Sequence, residues 1–298
     1  MLKKRDIPVM IVLVLPAVIL FSILLISPIL QSVYMSFFEW PGIARVPMKF
    51  VGILNFQRIF ASARFWGSVG NVMWFLVGSY FVLMPLSFSL ALIITSKLRL
   101  TRFFKTAYFI PVVLPTTAVG LIWAYMLFPD GGLINSVLAL LLRIPGPLPN
   151  WLGDPKIAMY TIVLINEWMW AGFNMLIFAA GLVAIPEELY EAAQMEGATK
   201  LQQVFRITIP LCKESFKTFA VLAAASNMKA FDLVFVLTKG GPAHATEVPA
   251  TLLYNEAFSY QNFGLGNAIG VFILVVGFLL SFAVKQLFDM RAMRGGEA

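Results

Sequence analysis

Hydrophobic residues in this chain gather in long blocks, and polar residues fall mainly in the gaps between them. Blocks of about twenty apolar residues predict membrane-spanning helices rather than the narrower apolar stripe of a soluble helix. Six are expected, at about 9–30, 69–95, 107–128, 157–184, 219–237 and 265–284. At 1.5 Å per residue the first covers roughly 33 Å, enough for a hydrocarbon core of about 30 Å. It is too long for a signal-peptide core and has no small-residue cleavage site, so it reads as a retained helix that Pro16 and Pro28 should kink. The predicted fold class is an all-α polytopic membrane protein with six transmembrane helices, one domain over residues 1–298.

The gaps differ in character. Residues 32–68 contain Trp40-Pro41-Gly42, 129–156 are rich in Pro and Gly, and Leu237-Thr-Lys-Gly-Gly-Pro242 ends the fifth block, so three external loops are expected. The join between the second and third blocks is short and carries Lys97, Arg99, Arg102 and Lys105, which marks it as cytoplasmic. Residues 186–210 form the longest polar interruption in the second half. Pro186 suits a first helical position, Glu187 and Glu188 sit where the helix dipole favours anions, and Gly197 offers a left-handed stop, so a short helix is expected over 186–196. Thr199 with Gln202 is a capping-box pair, and Leu201, Val204 and Phe205 give the following helix one apolar edge up to Pro210. Helices this short need a partner surface, here expected to be another subunit.

Composition agrees with a membrane protein: 60% of the 298 residues are hydrophobic and 12% charged, half the charge of an average soluble domain. The net charge of +7 is scattered between apolar blocks and forms no basic stripe, which argues against nucleic acid. Of the 22 Lys and Arg, fourteen fall on the proposed inside, seven on the outside, and Lys229 in a span. That asymmetry orients the chain with both termini in the cytoplasm. Cys212 is the only cysteine and is expected to be inert; His244 is the only histidine and is expected at the surface without a metal. No phosphate-binding Gly-x-x-x-x-Gly-Lys-[Ser/Thr] occurs, and no nucleophile, base and carboxylate form a recognisable set, so the chain reads as a non-enzymatic transport subunit powered by another polypeptide.

Ionisable groups within spans usually face a cavity or a partner, because each costs at least about 2.5 to 3.5 kcal/mol to insert. Glu167, Trp170 and Asn174 follow i, i+3, i+7 spacing, so a carboxylate, an aromatic plate and an amide share one helix face. That set suits a sugar, or alternatively interhelical hydrogen bonding with Trp170 as packing. Asn227, Lys229 and Asp232 lie in the fifth block, where Lys229 and Asp232 can face solute or neutralise each other. Gly264, Gly266 and Gly270 lack the spacing of a nucleotide loop and predict close helix packing.

Glu191-Ala192-Ala193, then Gly197, then Ile207 and Pro210 resemble the EAA loop of ABC importer membrane subunits, Glu-Ala-Ala-x3-Gly-x9-Ile-x-Leu-Pro, with Ile209 at the usual leucine. Phe50-Val-Gly52 with Asn55, Tyr108-Phe-Ile-Pro111, Gly120-Leu-Ile-Trp123, Phe231-Asp232 through Thr238 to Pro242, and Phe263-Gly-Leu-Gly266-Asn-Ala-Ile extend the resemblance to the sugar-type, maltose-permease-like ABC importer permeases. The resemblance implies the type I importer permease fold in a bacterial or archaeal inner membrane. It implies a second homologous permease as heterodimer partner, two ATPase subunits that bind ATP and Mg, and an extracytoplasmic solute-binding protein. This chain would bind no cofactor itself. By the same resemblance a coupling helix at about 199–207 would seat in an ATPase cleft, with Glu191, Ala192, Ala193, Gly197, Leu201, Phe205, Ile207 and Pro210 forming the coupling element. The substrate path would include Glu167, Trp170, Asn174, Asn227, Lys229 and Asp232. Rival readings are a secondary transporter coupled to ions through Glu167, Lys229 and Asp232, which would carry solute with the ATPase inactive, and a scaffold without solute, against which the polar fourth and fifth spans argue.

Overall fold

The computed structural model describes residues 7–96, 101–142 and 148–295. Lys3, Lys4, Arg5, Lys97, Arg99 and Arg143, which carry part of the predicted charge asymmetry, lie outside the described residues, as do the side chains of Arg291 and Arg294. Helices dominate. The first expected span is α1 (Ile7–Phe21) and α2 (Ser27–Met35), joined through a π-helical turn at Ser22–Ile26. A minimal antiparallel hairpin of β1 (Phe38–Glu39) and β2 (Lys49–Phe50) follows, then α3 (Leu54–Ala61). The second span is α4 (Ala63–Gly78), a π turn at Ser79–Leu83 and α5 (Met84–Thr95), beginning earlier than expected.

The third span is not straight. It consists of α6 (Thr101–Val113) and α7 (Thr116–Met126), bent by 100°. The cause is Leu114-Pro115: a residue before proline is pushed out of the helical region, and Pro115 itself is extended at ψ 132°. The expected loop 129–156 contains a short helix, α8 (Leu133–Leu142). The fourth span, α9 (Ala158–Val183), lies within one residue of its expected bounds.

The polar interruption folds as α10 (Glu187–Met195), α11 (Lys200–Gln203), a π turn at Val204–Thr208 and α12 (Ile209–Leu211). This helix ends at Leu211, within one residue of the expected stop at Pro210, and the widened turn accommodates the proline ring. The fifth expected span is broken, where one helix was expected, into α13 (Lys213–Asn227) and α14 (Asp232–Leu237), and neither is among the helices long and apolar enough to cross a membrane. After α15 (Pro249–Tyr254) and a π turn at Asn255–Ser259, α16 (Phe263–Gly295) forms the last span and outruns its expected end. Four described helices are long and apolar enough to cross a membrane, five with the bent pair.

Three of the π turns share a cause. Ser22–Ile26 precedes Pro28, Ser79–Leu83 precedes Pro85, and Val204–Thr208 precedes Pro210. A proline ring collides with the carbonyl four residues back and offers no N–H to it. Those carbonyls, of Leu24, Phe81 and Arg206, lie in the middle of the π turns, where the wider ring moves them aside.

The chain divides into two compact units, one built on residues up to 63 and 252–274, the other on 64–251 and from 275 on. In the first, buried Asn55 donates to the carbonyls of Ser36 and Phe38, both at 2.9 Å. A side chain at Gly264 would strike that same Phe38 carbonyl, and Ser32 Oγ donates to Asn267 Oδ1 at 2.7 Å. The motif stretches around Asn55 and Gly264 thus meet at one crossing. Gly266 and Gly270 pack against Ala257 and Leu253, as the close-packing reading requires.

In the second unit α5 and α9 pack along their length, with Ser87 donating to the Ala171 carbonyl at 3.2 Å. Phe88, Phe178 and Phe219 form the core there, with Phe178 stacked on Phe219 at 5.6 Å between centroids. Gly172 lets the backbone of α9 touch that of α6, since a Cβ would meet the Tyr108 carbonyl. Cys212 is buried in this core, and burial pushes its thiol pKa up.

Candidate functional site

The break between α13 and α14 opens a cleft of about 920 Å³, part of it exposed to the surroundings. Phe231, at φ −141° and ψ −62°, carries the chain out of helical geometry, and Asp232 then starts α14, where the dipole of a helix N-terminus favours its charge. Trp170, Asn166 and Asn174 of α9 form one wall; Ser79 of the π turn and Ser226 and Asn227 of α13 form another; Lys229 and Asp232 stand at the break. Five of the six residues expected on a substrate path therefore line one space. Lys229 and Asp232 are exposed, and among the described residues no ion pair joins them. They face the cleft as separate charges.

Glu167 is the exception. It is fully buried and does not line the cleft. At 3.6 residues per turn Trp170 and Asn174 lie about 60° and 20° round from Glu167, which leaves Glu167 at the edge of the cleft-facing arc, against Gly78 and Ser79. Gly78 makes room, because a side chain there would meet Val163 and Glu167. Ser79 donates to both carboxylate oxygens at 3.3 Å and Asn166 Nδ2 to Oε1 at 3.4 Å. Asn227 Nδ2 in turn donates to Ser79 Oγ at 3.0 Å and to the Phe75 carbonyl at 3.5 Å. The predicted column is thus corrected: Glu167 supports the wall, while Trp170 and Asn174 face the space. Sequence reasoning missed Ser79 and Asn166, whose only signal was a polar side chain within an apolar run.

These hydrogen bonds fix the chemistry of the wall. Asn166, Asn174 and Asn227 each direct the amide Nδ2 to protein, Asn174 to the Trp170 carbonyl at 3.0 Å. A side-chain amide has two donors on nitrogen and an acceptor oxygen, so three acceptors remain for a guest. With Trp170 37% exposed as an aromatic plate, the cleft can accept hydroxyl protons and stack against a C–H face.

The helical hairpin 187–211 presents a different surface. Gly197 takes φ +83° at the stop after α10, and Thr199 and Gln202 form the expected reciprocal capping box, Thr199 N–H donating to Gln202 Oε1 at 2.8 Å. Leu201 and Phe205, 68% and 63% exposed, leave two members of the expected apolar edge uncovered, while the third, Val204, is half-buried against the core. Glu191, Ala192, Gly197 and Pro210 are also exposed, while Ala193 and Ile207 are half-buried. Tyr190 and Thr208 hydrogen-bond at 3.0 Å and hold the two short helices together.

On the loop after α14, Gly240 adopts φ +91° and the Gly241–Pro242 bond is cis. Arg64 forks onto buried Glu247 with two hydrogen bonds of 2.6 Å, and Asn71 donates to the carbonyls of Ala245 and Glu247. His244 is at the surface, as expected, 3.3 Å from Glu247.

A probable ABC transporter permease protein of Pyrococcus horikoshii is 34% identical to this chain over 286 residues, covering 94% of this chain and 95% of the relative. The trehalose/maltose transport system permease protein of Thermococcus litoralis is 31% identical over 285 residues, 94% of each. Among solved structures, a chain of the bacterial alginate ABC transporter, crystallised with an alginate pentasaccharide-bound periplasmic protein, has the same fold at TM-score 0.82 and 23% identity, covering 95% of this chain and 94% of that one. Residues 83–294 match the family of binding-protein-dependent transport system inner membrane components, and this multi-pass membrane chain belongs to that family.

Proposed function

We propose that the chain is the non-catalytic permease subunit of an ATP-driven importer for a carbohydrate or sugar derivative. It crosses the inner membrane six times with both termini in the cytoplasm, the third and fifth crossings as bent or broken helices. A second, homologous permease completes the pathway, two ATPase subunits bind ATP and Mg, and an external binding protein delivers the solute. The observation that carries this reading is the cleft at the α13–α14 break, where Trp170 and the three amide oxygens offer the stacking surface and acceptors that a polyol needs. Coupling runs through the hairpin: Leu201 and Phe205 seat in an ATPase cleft with Glu191 at the contact. Closure of the ATPase pair draws the two permeases between inward-open and outward-open states as packed bodies. The secondary-transport alternative is disfavoured because Glu167 is hydrogen-bonded away from Lys229 and Asp232.

Uptake in proteoliposomes holding the whole complex and its binding protein tests this, with radiolabelled maltose, trehalose and lactose as probes. ATP-dependent accumulation of a probe is expected, and Trp170→Ala should lower uptake at sub-saturating solute at least about tenfold, equivalent to about 1.4 kcal/mol of lost contact. Uptake that persists with the ATPase inactivated, or Trp170→Ala kinetics equal to those of the parent, would overturn the assignment.

A further inference from the structure

We infer that the groove along α6 is a binding site for one anionic phospholipid. The inference rests on the chain lying in a membrane and not on which solute it carries. Phe109, Ile110 and Val113 form one apolar edge of α6, continued by Leu114 just past its end, and Leu176 of α9 lines the other side of a groove of about 690 Å³. The groove is shallow and firm because α6 and α9 touch backbone to backbone one turn away, at Gly172. Lys105 lies at one end of the groove. At the other end α6 stops at the 100° bend after Val113.

The dimensions fit a single lipid leaflet. From Lys105 to Val113 the helix rises roughly 12 Å at 1.5 Å per residue, close to half of a hydrocarbon core of about 30 Å. An acyl chain lying along Phe109 and Val113 would therefore hold its headgroup level with Lys105. The charge fits as well. Arg102 and Lys105 are exposed, neither has an ion-pair partner among the described residues, and the sequence from 96 to 110 contains no carboxylate. Cations at the head of an apolar groove between helices select anionic headgroups over zwitterionic ones.

The full transporter in nanodiscs provides the test. Cys212 is the only cysteine of this chain and is buried, so with the partner subunits made cysteine-free, Ile110→Cys, at a half-exposed position on the groove wall, gives a single accessible site for a bimane label. Phosphatidylglycerol and phosphatidylcholine carrying a nitroxide on the acyl chain are the probes. Phosphatidylglycerol should quench at a mole fraction at least about five-fold lower than phosphatidylcholine, and the double variant Arg102→Gln, Lys105→Gln should abolish that difference. Equal quenching by the two lipids in the parent would overturn the site. So would quenching by neither, which would make the groove part of the contact with the second permease. Mass spectrometry of the unlabelled complex repeats the comparison without the cysteine: preferential retention of phosphatidylglycerol, lost in the double variant, is expected, and equal retention of both lipids counts against it.

Discussion

Arg64 and Glu247 illustrate how much can depend on one side chain. Glu247 is 1% exposed and Arg64 meets it with a two-pronged, charge-assisted contact. Removing one member of a buried pair costs about 3 to 5 kcal/mol, because the other charge stays desolvated. Arg64→Ala is therefore expected to destabilise the loop 239–248 by about 3 kcal/mol, with exposed His244 still near the carboxylate. Protease nicking of that loop, at unchanged expression and with α16 intact, is the measurement; resistance equal to the parent would show that the fork is not needed. At this scale the sequence was informative about identity and poor about direction. It marked Glu167 as a carboxylate that must be satisfied, yet a contact between packed helices, at Gly78 and Ser79, decided which groups satisfy it. Arg64 and Glu247 are 183 residues apart, and no local pattern relates them.

Among the elements, the hairpin 187–211 was the most legible, since its turns are specified by local chemistry. Gly197 supplies the left-handed residue and Thr199 with Gln202 the cap, each within a few positions of what it controls. Leu201 and Phe205 remain two-thirds exposed, and covering them would contribute roughly 2 to 4 kcal/mol. In the proposed assembly, Leu201→Glu with Phe205→Glu should weaken ATPase binding at least about 30-fold, read by co-purification against ATPase concentration. Undiminished binding would remove the hairpin from the interface. The broken fifth span was far less legible. Neither Gly nor Pro lies in Met228-Lys229-Ala230-Phe231, so hydropathy joined two helices that the fold separates. Only Lys229 and Asp232, polar within an apolar run, hinted that the segment lines a space.

For the whole molecule, long apolar helices were predictable because the bilayer demands them, and the fourth span shows how closely. What stayed hidden are tertiary consequences: the 100° bend, the depth of the cleft, and which apolar faces remain uncovered. The proposed topology places the hairpin and the loop after α14 on opposite sides. With Cys212 buried as a silent background, Gln194→Cys should react with an impermeant maleimide only in inside-out vesicles and Ala243→Cys only in right-side-out ones. Labelling of both from one side would reverse or refute the orientation.

The π turns before Pro28, Pro85 and Pro210 also bear on how such a chain can move. A regular helix resists flexing because opening it anywhere sacrifices a rung of its ladder. Beside each of these prolines one regular rung is absent and a wider π bond stands in for it, so a change of angle there gives up less than elsewhere in the helix. The three turns, two inside apolar spans and one at the foot of the fifth expected span, are therefore the points where a tilt would cost these helices least.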